Sequence, residues 1–122
     1  ALPIYIYLGS GGAPEGVLAA AALRCTGGEM QGRLMIQSES QRARAIAMGI
    51  KDVDRKYTHR EMARGDVLFA ATGVTDGNLL AGVRFARSGE ITTDTVVMRS
   101  STGTIRWIKA THRDHSKFDL PG

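Results

Sequence analysis

Apolar residues fall into short runs separated by glycine-rich or hydroxyl-rich punctuation, and that punctuation sets the expected elements. Ile4 to Leu8 is a β-branched and aromatic run closed by Gly9-Ser10-Gly11-Gly12, the pattern of a strand entering a tight turn. A helix is expected at once: Pro14 suits a first helical position, Val17 to Leu23 has high helix propensity, and Gly27-Gly28 supplies the stop. With a middle of alanine and leucine, it is expected to be buried on most sides. Glu29 to Ile36 alternates roughly between polar and apolar and reads as the next strand.

Two capping-box patterns follow. Ser38 with Gln41 opens a helix that should end at Gly49, after Met48, and Thr58 with Glu61 opens a shorter one that should close at Gly65. Asp66 to Thr72 is a continuous apolar run of the kind found in strands covered on both faces, which implies parallel pairing. Beyond it, Gly82 to Phe85, Ile91 to Arg99 and Thr104 to Thr111 are β-branched segments separated by short turns, and are expected to be antiparallel neighbours. The order β-α-β-α-α-β followed by a meander predicts an α/β fold, a layered α/β domain with a mixed sheet.

At 122 residues, 43% of them hydrophobic, the chain suits one α/β domain with a real core, spanning residues 1–122, and is short for two. No stretch approaches the roughly 18 apolar residues of a membrane span, and no signal-type segment opens the sequence, so a soluble, cytoplasmic protein with no membrane partner is expected. Cys25 is the only cysteine, which excludes an intramolecular disulfide and a multi-cysteine zinc site. It is expected to pack as a small apolar residue on its helix.

Sixteen Lys and Arg against twelve Asp and Glu give a net charge of +4. The basic residues are spread from Arg24 to Lys117, without the stripe and stacking aromatics of a nucleic-acid binder. No nucleic-acid partner is expected, and the charge suits a surface that favours phosphorylated small molecules.

The most informative segment for chemistry is Gly9 to Gly16. Free amides at a helix start bind anions, and glycine lets a phosphate approach the main chain. Glu15 falls in the first helical turn, where two readings stand side by side: a partner of the helix dipole, or an oxygen ligand of a hard cation beside a bound phosphate. Neither the dinucleotide fingerprint nor the P-loop lysine pattern is present.

Ala71 to Asn78 follows a buried-type strand, which makes Thr72, Thr75 and Asp76 secondary candidates, although turn formation is the favoured reading of Asp-Gly here. His59, His112 and His115 have no spacing that suggests a nucleophilic triad. Arg99, Arg106 and Lys109 are expected on the last strands, where Arg99 and Arg106 could face a phosphate but an exposed sheet face is the favoured reading, and Trp107 and Ile108 in the core or an interface.

Taken together, several strings resemble the bacterial class II fructose-1,6-bisphosphatases. They are Gly-Gly-Ala-Pro-Glu-Gly-Val-Leu-Ala-Ala-Ala-Ala-Leu-Arg-Cys, Gly-Gly-Glu-Met-Gln-Gly-Arg-Leu, Ala-Thr-Gly-Val-Thr-Asp-Gly-Asn-Leu-Leu, Gly-Val-Arg-Phe and Val-Met-Arg-Ser-Ser-Thr-Gly-Thr-Ile-Arg, in that order, from about Gly9 to His112. The resemblance implies the carboxyl-terminal part of the fold of the lithium-sensitive phosphatases, related to inositol monophosphatase. It also implies hydrolysis of the 1-phosphate of fructose 1,6-bisphosphate with magnesium or manganese, as a step of gluconeogenesis. Some relatives also accept sedoheptulose 1,7-bisphosphate.

By position, Glu15 matches the family's metal-binding glutamate and Gly12 the glycine that contacts the substrate phosphate. The family's other metal carboxylates, its catalytic threonine and most of its sugar contacts belong to an amino-terminal region with no counterpart here. The resemblance therefore implies no catalytic residue on this chain itself, a dependence on that missing region as partner, and little activity in isolation. One carboxylate cannot build a two-metal site. The alternative is a non-catalytic phosphate-binding or assembly domain. A severed apolar face predicts a homo-oligomer.

Overall fold

The computed structural model describes residues 6–114. Helices and strands form an α/β fold, alternating as far as β3 and continuing as strands alone, and contacts cluster into two compact units that divide between Gly65 and Asp66.

The first unit is built around α1 (Ala13–Thr26). Its stop is the expected one: Gly27 takes a left-handed conformation with φ 82° and donates its amide to Leu23 O. After β1 (Gln31–Gly32) comes α2 (Glu39–Ala47), whose cap, Ser38, accepts from the Gln41 amide. Gln41 reaches one residue further back than a capping box requires and accepts from the Gln37 amide at 2.8 Å. The exit of α2 is a Schellman closure: Gly49, at φ 95°, donates to Ile46 O while Ile50 donates to Ala45 O. β2 (Tyr57–Thr58) pairs antiparallel with β1, Gln31 opposite Thr58 and Gly32 opposite Tyr57. It runs directly into α3 (His59–Met62), where the capping box is complete: Thr58 accepts from the Glu61 amide and Glu61 from the Thr58 amide.

Ala20, Cys25, Ala45, Val53 and Ala63 are buried in this unit. Cys25 is buried on α1, as a small apolar residue should be. Arg24 fastens α1 to the segment after α3, donating through Nη1 to Ala63 O and through Nη2 to Gly65 O at 2.9 Å.

Three expectations for this unit need correction. The strand predicted over Glu29 to Ile36 is reduced to Gln31–Gly32, because its one partner, β2, is only two residues long. Of the strand predicted over Ile4 to Leu8, Ile4 and Tyr5 lie outside the described residues, while Ile6, Tyr7 and Leu8 are exposed and unpaired in any sheet. Helix α1 is not buried on most sides: Ala20 and Cys25 face inward, but Val17 and Leu18 are 43% and 58% exposed. Among the elements of this unit, α1 packs mainly on α3, which spans one turn and covers a single strip of the longer helix.

The second unit is a sheet of β3 (Leu68–Thr72), β4 (Arg84–Phe85), β5 (Ile91–Arg99) and β6 (Thr104–His112). β6 pairs with β5 over its whole length, from Ile91 opposite His112 to Arg99 opposite Thr104. β3 and β4 therefore share the other edge of β5 and lie end to end along it, Leu68–Thr72 against Thr95–Arg99 and Arg84–Phe85 against Ile91–Thr92. Residues 73–83 are an excursion out of what would otherwise be one strand. Gly73 still donates to Asp94 O as the chain leaves the sheet, and Val83 donates to Val74 O as it returns.

All of these pairings are antiparallel, so the parallel pairing expected for Asp66 to Thr72 is corrected. So is burial on both faces: Phe69 and Ala71 lie half-buried on the face that carries the buried Val96 and Met98, while Leu68, on the other face, is 70% exposed. A short apolar run reports that a strand is wanted, not the direction of its neighbour.

Candidate functional site

At the start of α1 several backbone amides have no side-chain cap. Gly12 is the cap residue, extended at φ −64° and ψ 154°, and has no side chain with which to satisfy the helix end. The first intrahelical bond runs from Gly16 N to Gly12 O at 3.1 Å. That leaves the amides of Gly12, Ala13 and Glu15 without intrahelical acceptors, and Pro14 has none to offer.

Glu15 folds back over this turn. A methyl carbon placed on Gly12 would stand 3.2 Å from Glu15 Cδ and collide with Oε2. The two residues singled out from the sequence are thus neighbours in space, and the absence of a side chain at position 12 makes room for the carboxylate at position 15. Glu15 is exposed and belongs to none of the ion pairs among the described residues.

A hard divalent cation fits this donor chemistry in part. Glu15 offers an uncommitted carboxylate oxygen beside amides that have no intrahelical acceptor. One side chain does not make a coordination shell, and among the described residues no group of three or more His, Cys, Asp or Glu could hold a metal ion. Glu15 could therefore serve only as one ligand of such an ion, whose other ligands would have to come from outside the described residues.

The secondary candidates are committed to structure. Asp76 Oδ1 accepts from the Gly82 amide at 2.8 Å, and its carboxylate takes Arg84 Nη2 at 2.8 and 3.0 Å, which pins the entry of the 73–83 excursion to its exit. The Gly82 amide, followed by the Arg84 charge, holds this carboxyl below its usual range. Thr72 Oγ1 bonds Thr95 Oγ1 across the strands at 2.8 Å. The backbone of Thr75 packs against Gly82, where an added carbon would come within 2.8 Å of the Thr75 carbonyl carbon. Turn formation accounts for Asp76 and Thr75, and pairing across the sheet for Thr72.

Arg99 is engaged with Asp66 through Nε at 2.9 Å and Nη2 at 2.6 Å, and Ser101 adds its amide to the same carboxylate. These bonds, that of Arg99 above all, hold the Asp66 carboxyl down at about 2. Arg106 and Lys109 are exposed on β6, as expected of a solvated sheet face. Trp107 and Ile108 are not core residues: they are 64% and 46% exposed. His59 is buried and donates its backbone amide to Met30 O, His112 bonds Thr93 Oγ1 at 2.9 Å, and His115 lies outside the described residues.

An open groove of about 370 Å³ in the first unit is lined by Glu29, Met30, Gln31, Thr58, His59 and Arg60. Neither Gly12 nor Glu15 lines it, and it lacks the convergent carboxylates that would give it chemistry of its own. Sequence reasoning missed Arg24, whose guanidinium ties α1 in place, and Met62, whose thioether lies against Gly16. The available signal for Met62 was the glycine itself, since an isolated glycine inside a helical pattern usually marks close packing.

Residues 2–112 match the family described as bacterial fructose-1,6-bisphosphatase, glpX-encoded. The chain is 42% identical to the D-fructose 1,6-bisphosphatase class 2/sedoheptulose 1,7-bisphosphatase of Synechococcus sp. (strain JA-3-3Ab), over 89% of this chain and 35% of that protein. It is 43% identical to the protein of the same description from Crocosphaera subtropica, with the same coverage. For that of Synechocystis sp. (strain ATCC 27184 / PCC 6803 / Kazusa) the identity is 40%, over 93% of this chain and 36% of the relative. The chain thus spans about a third of the length of these curated relatives.

Proposed function

The chain belongs to the family of bacterial, glpX-encoded fructose-1,6-bisphosphatases, and from that premise we propose that it is the carboxyl-terminal portion of a metal-dependent sugar-bisphosphate phosphatase. Residues 1–122 act as one portion of that enzyme, which hydrolyses the 1-phosphate of fructose 1,6-bisphosphate in gluconeogenesis in the cytoplasm. The observation that carries the reading is the Glu15 carboxylate folded over the bare Gly12 at the amino end of α1.

In this reading the amides at Gly12 and Ala13 grip phosphate oxygens, aided by the positive end of the helix. Glu15 would contribute one oxygen to a magnesium or manganese ion when one is bound. Such an ion supplies Lewis-acid polarisation of the phosphoryl group and acidifies a water molecule. Because Glu15 has no ion-pair partner among the described residues, it can turn to a cation without breaking a bond of the fold. The remaining carboxylates, and the group that handles the proton, lie in the amino-terminal region that completes the enzyme, so the isolated chain is inactive. Pairing of subunits into a homo-oligomer belongs to the same proposal.

The test compares the complete enzyme with its Glu15→Gln variant in the presence of manganese. The amide keeps the size and one oxygen but loses the charge, and kcat/KM should fall by about a hundredfold or more. The isolated chain should release no phosphate above background. Phosphate binding that needs no metal and is indifferent to Glu15→Gln would replace the enzyme with a non-catalytic phosphate-binding domain.

A further inference from the structure

The turn that carries Gly12 and Glu15 has a support that neither residue provides. A carbon built on Gly16 would stand 3.5 Å from Met62 Cε, and one built on Gly32 would stand 3.3 Å from both Met62 Cε and Sδ. Gly16 is the residue next to Glu15 on the first turn of α1, and Gly32 is on β1. The thioether end of Met62 therefore lies between helix and strand, at ordinary contact distance from the Gly16 position and close enough to Gly32 that a side chain there would crowd it.

Met62 is itself held from behind. It is the last residue of α3, whose start is locked by the Thr58 and Glu61 capping box, and Glu61 also takes Arg55 Nη2 at 2.6 Å. Thr58 is in register with Gln31, and the His59 amide donates to Met30 O at 2.9 Å, so α3 is tied to the same strand that carries Gly32. At the far end of α1, Arg24 fastens the helix to the carbonyls of Ala63 and Gly65. α1 is thus pinned to the α3 segment at two places, by charge near its carboxyl end and by a flexible apolar side chain beside Glu15.

We propose that Met62 is a positioning residue for Glu15: by filling the slot between Gly16 and Gly32 it fixes the first turn of α1, and with it the point from which the carboxylate meets a divalent cation. The inference rests on the proposed role of Glu15 as a metal ligand. It differs from a general packing role because Met62 borders the turn itself, and supports one step removed from a ligand set how tightly the metal is held. Methionine suits the place, since its unbranched chain follows an irregular gap between the first turn of α1 and Gly32.

The experiment uses the complete enzyme and three variants: Met62→Ala, Met62→Leu and, as a control in the core of the same unit, Val53→Ala. Val53 is buried at 4% exposure and lines no part of the Gly12 turn. The manganese concentration for half-maximal activity should rise about tenfold in Met62→Ala, return to within about twofold of the parent in Met62→Leu, and stay at the parent value in Val53→Ala. Equal shifts in Met62→Ala and Val53→Ala, or no shift in Met62→Ala, overturn the inference.

Amide exchange of Gly16, whose hydrogen bond to Gly12 closes the turn, gives a second readout that needs no metal. It should quicken about tenfold in Met62→Ala while the amides of β5 keep their parent rates; uniform acceleration, or none, again refutes the proposal. If the parent enzyme shows no manganese dependence, the metal-ligand reading of Glu15 fails, and the exchange rates still decide whether Met62 holds the turn.

Discussion

Replacing Gly12 by alanine separates what the turn does for folding from what it does for function. The backbone at Gly12 has φ −64° and ψ 154°, a region open to any residue, so alanine is not strained there. The new methyl meets the end of the Glu15 side chain, with Cδ at 3.2 Å and Oε2 inside contact distance. A flexible side chain yields at little cost, so stability should change by no more than about 1 kcal/mol, the usual size of a cap-position effect. To clear the methyl, however, the carboxylate has to retreat by about 1 Å, and displacements of that size at a reacting centre cost roughly a hundredfold in rate. The assay pairs thermal unfolding with kcat/KM for fructose 1,6-bisphosphate at saturating manganese, in the complete enzyme. An unaltered rate would show that neither the carboxylate nor the bare cap matters for the reaction; a collapsed melting temperature would show that the glycine is there for the fold.

Three further outcomes concern the second unit and its links to the sequence. Gly73→Ala drives a methyl into the carbonyl oxygen of Ala81 and within 3.0 Å of its carbon, against backbone that cannot rotate away, and should cost about 1–3 kcal/mol in chemical denaturation; a loss under a few tenths would mean that the 73–83 excursion opens freely. Asp66 titrates at about 2 in the folded chain against 3.8 ordinarily. Its contribution is therefore fully present above pH 4 and is lost as pH falls through 2, so the gap in melting temperature between the parent and Asp66→Asn should be widest at neutral pH and close only below pH 2. A gap that is the same at both pH values would contradict the Arg99 and Ser101 bonds to the carboxylate. Asp76→Asn keeps an acceptor for the Gly82 amide but loses the Arg84 pair, and should raise proteolytic nicking within residues 73–83 without altering manganese dependence; a changed manganese dependence would return Asp76 to the list of functional residues.

Elements set by nearby residues were legible in the sequence, and those set by distant partners were not. The Ser38 cap and Gly49 stop of α2, the capping box of α3 and the glycine end of α1 all act within one turn. The β5 and β6 hairpin was equally clear, since β-branched runs flank a turn closed by Gly103 at φ 63°. By contrast, Glu29 to Ile36 has strand-like alternation, yet its length as a strand depends on how much of β2 stands beside it. The run from Asp66 to Thr72 looks buried because it is apolar, but Leu68 faces outward and the neighbour runs antiparallel.

The site divides the same way. Glycines before a helix and an acid in its first turn are a local pattern, and they pointed to the Gly9 to Gly16 turn and to Glu15, while the family resemblance singled out Gly12. That the carboxylate lies over Gly12 is a side-chain choice within one turn, whereas the place of Met62 beside Gly16 and Gly32 and the reach of Arg24 to the carbonyls of Ala63 and Gly65 are matters of folding at long range.

The most direct measurement is a crystal structure of the complete enzyme soaked with manganese and inorganic phosphate, read by the anomalous signal of the metal. The account predicts a manganese peak in direct coordination with a Glu15 carboxylate oxygen, with a phosphate oxygen within hydrogen-bonding distance of the Gly12 or Ala13 amide. A fully coordinated ion that leaves Glu15 turned away, with phosphate held elsewhere, would contradict it.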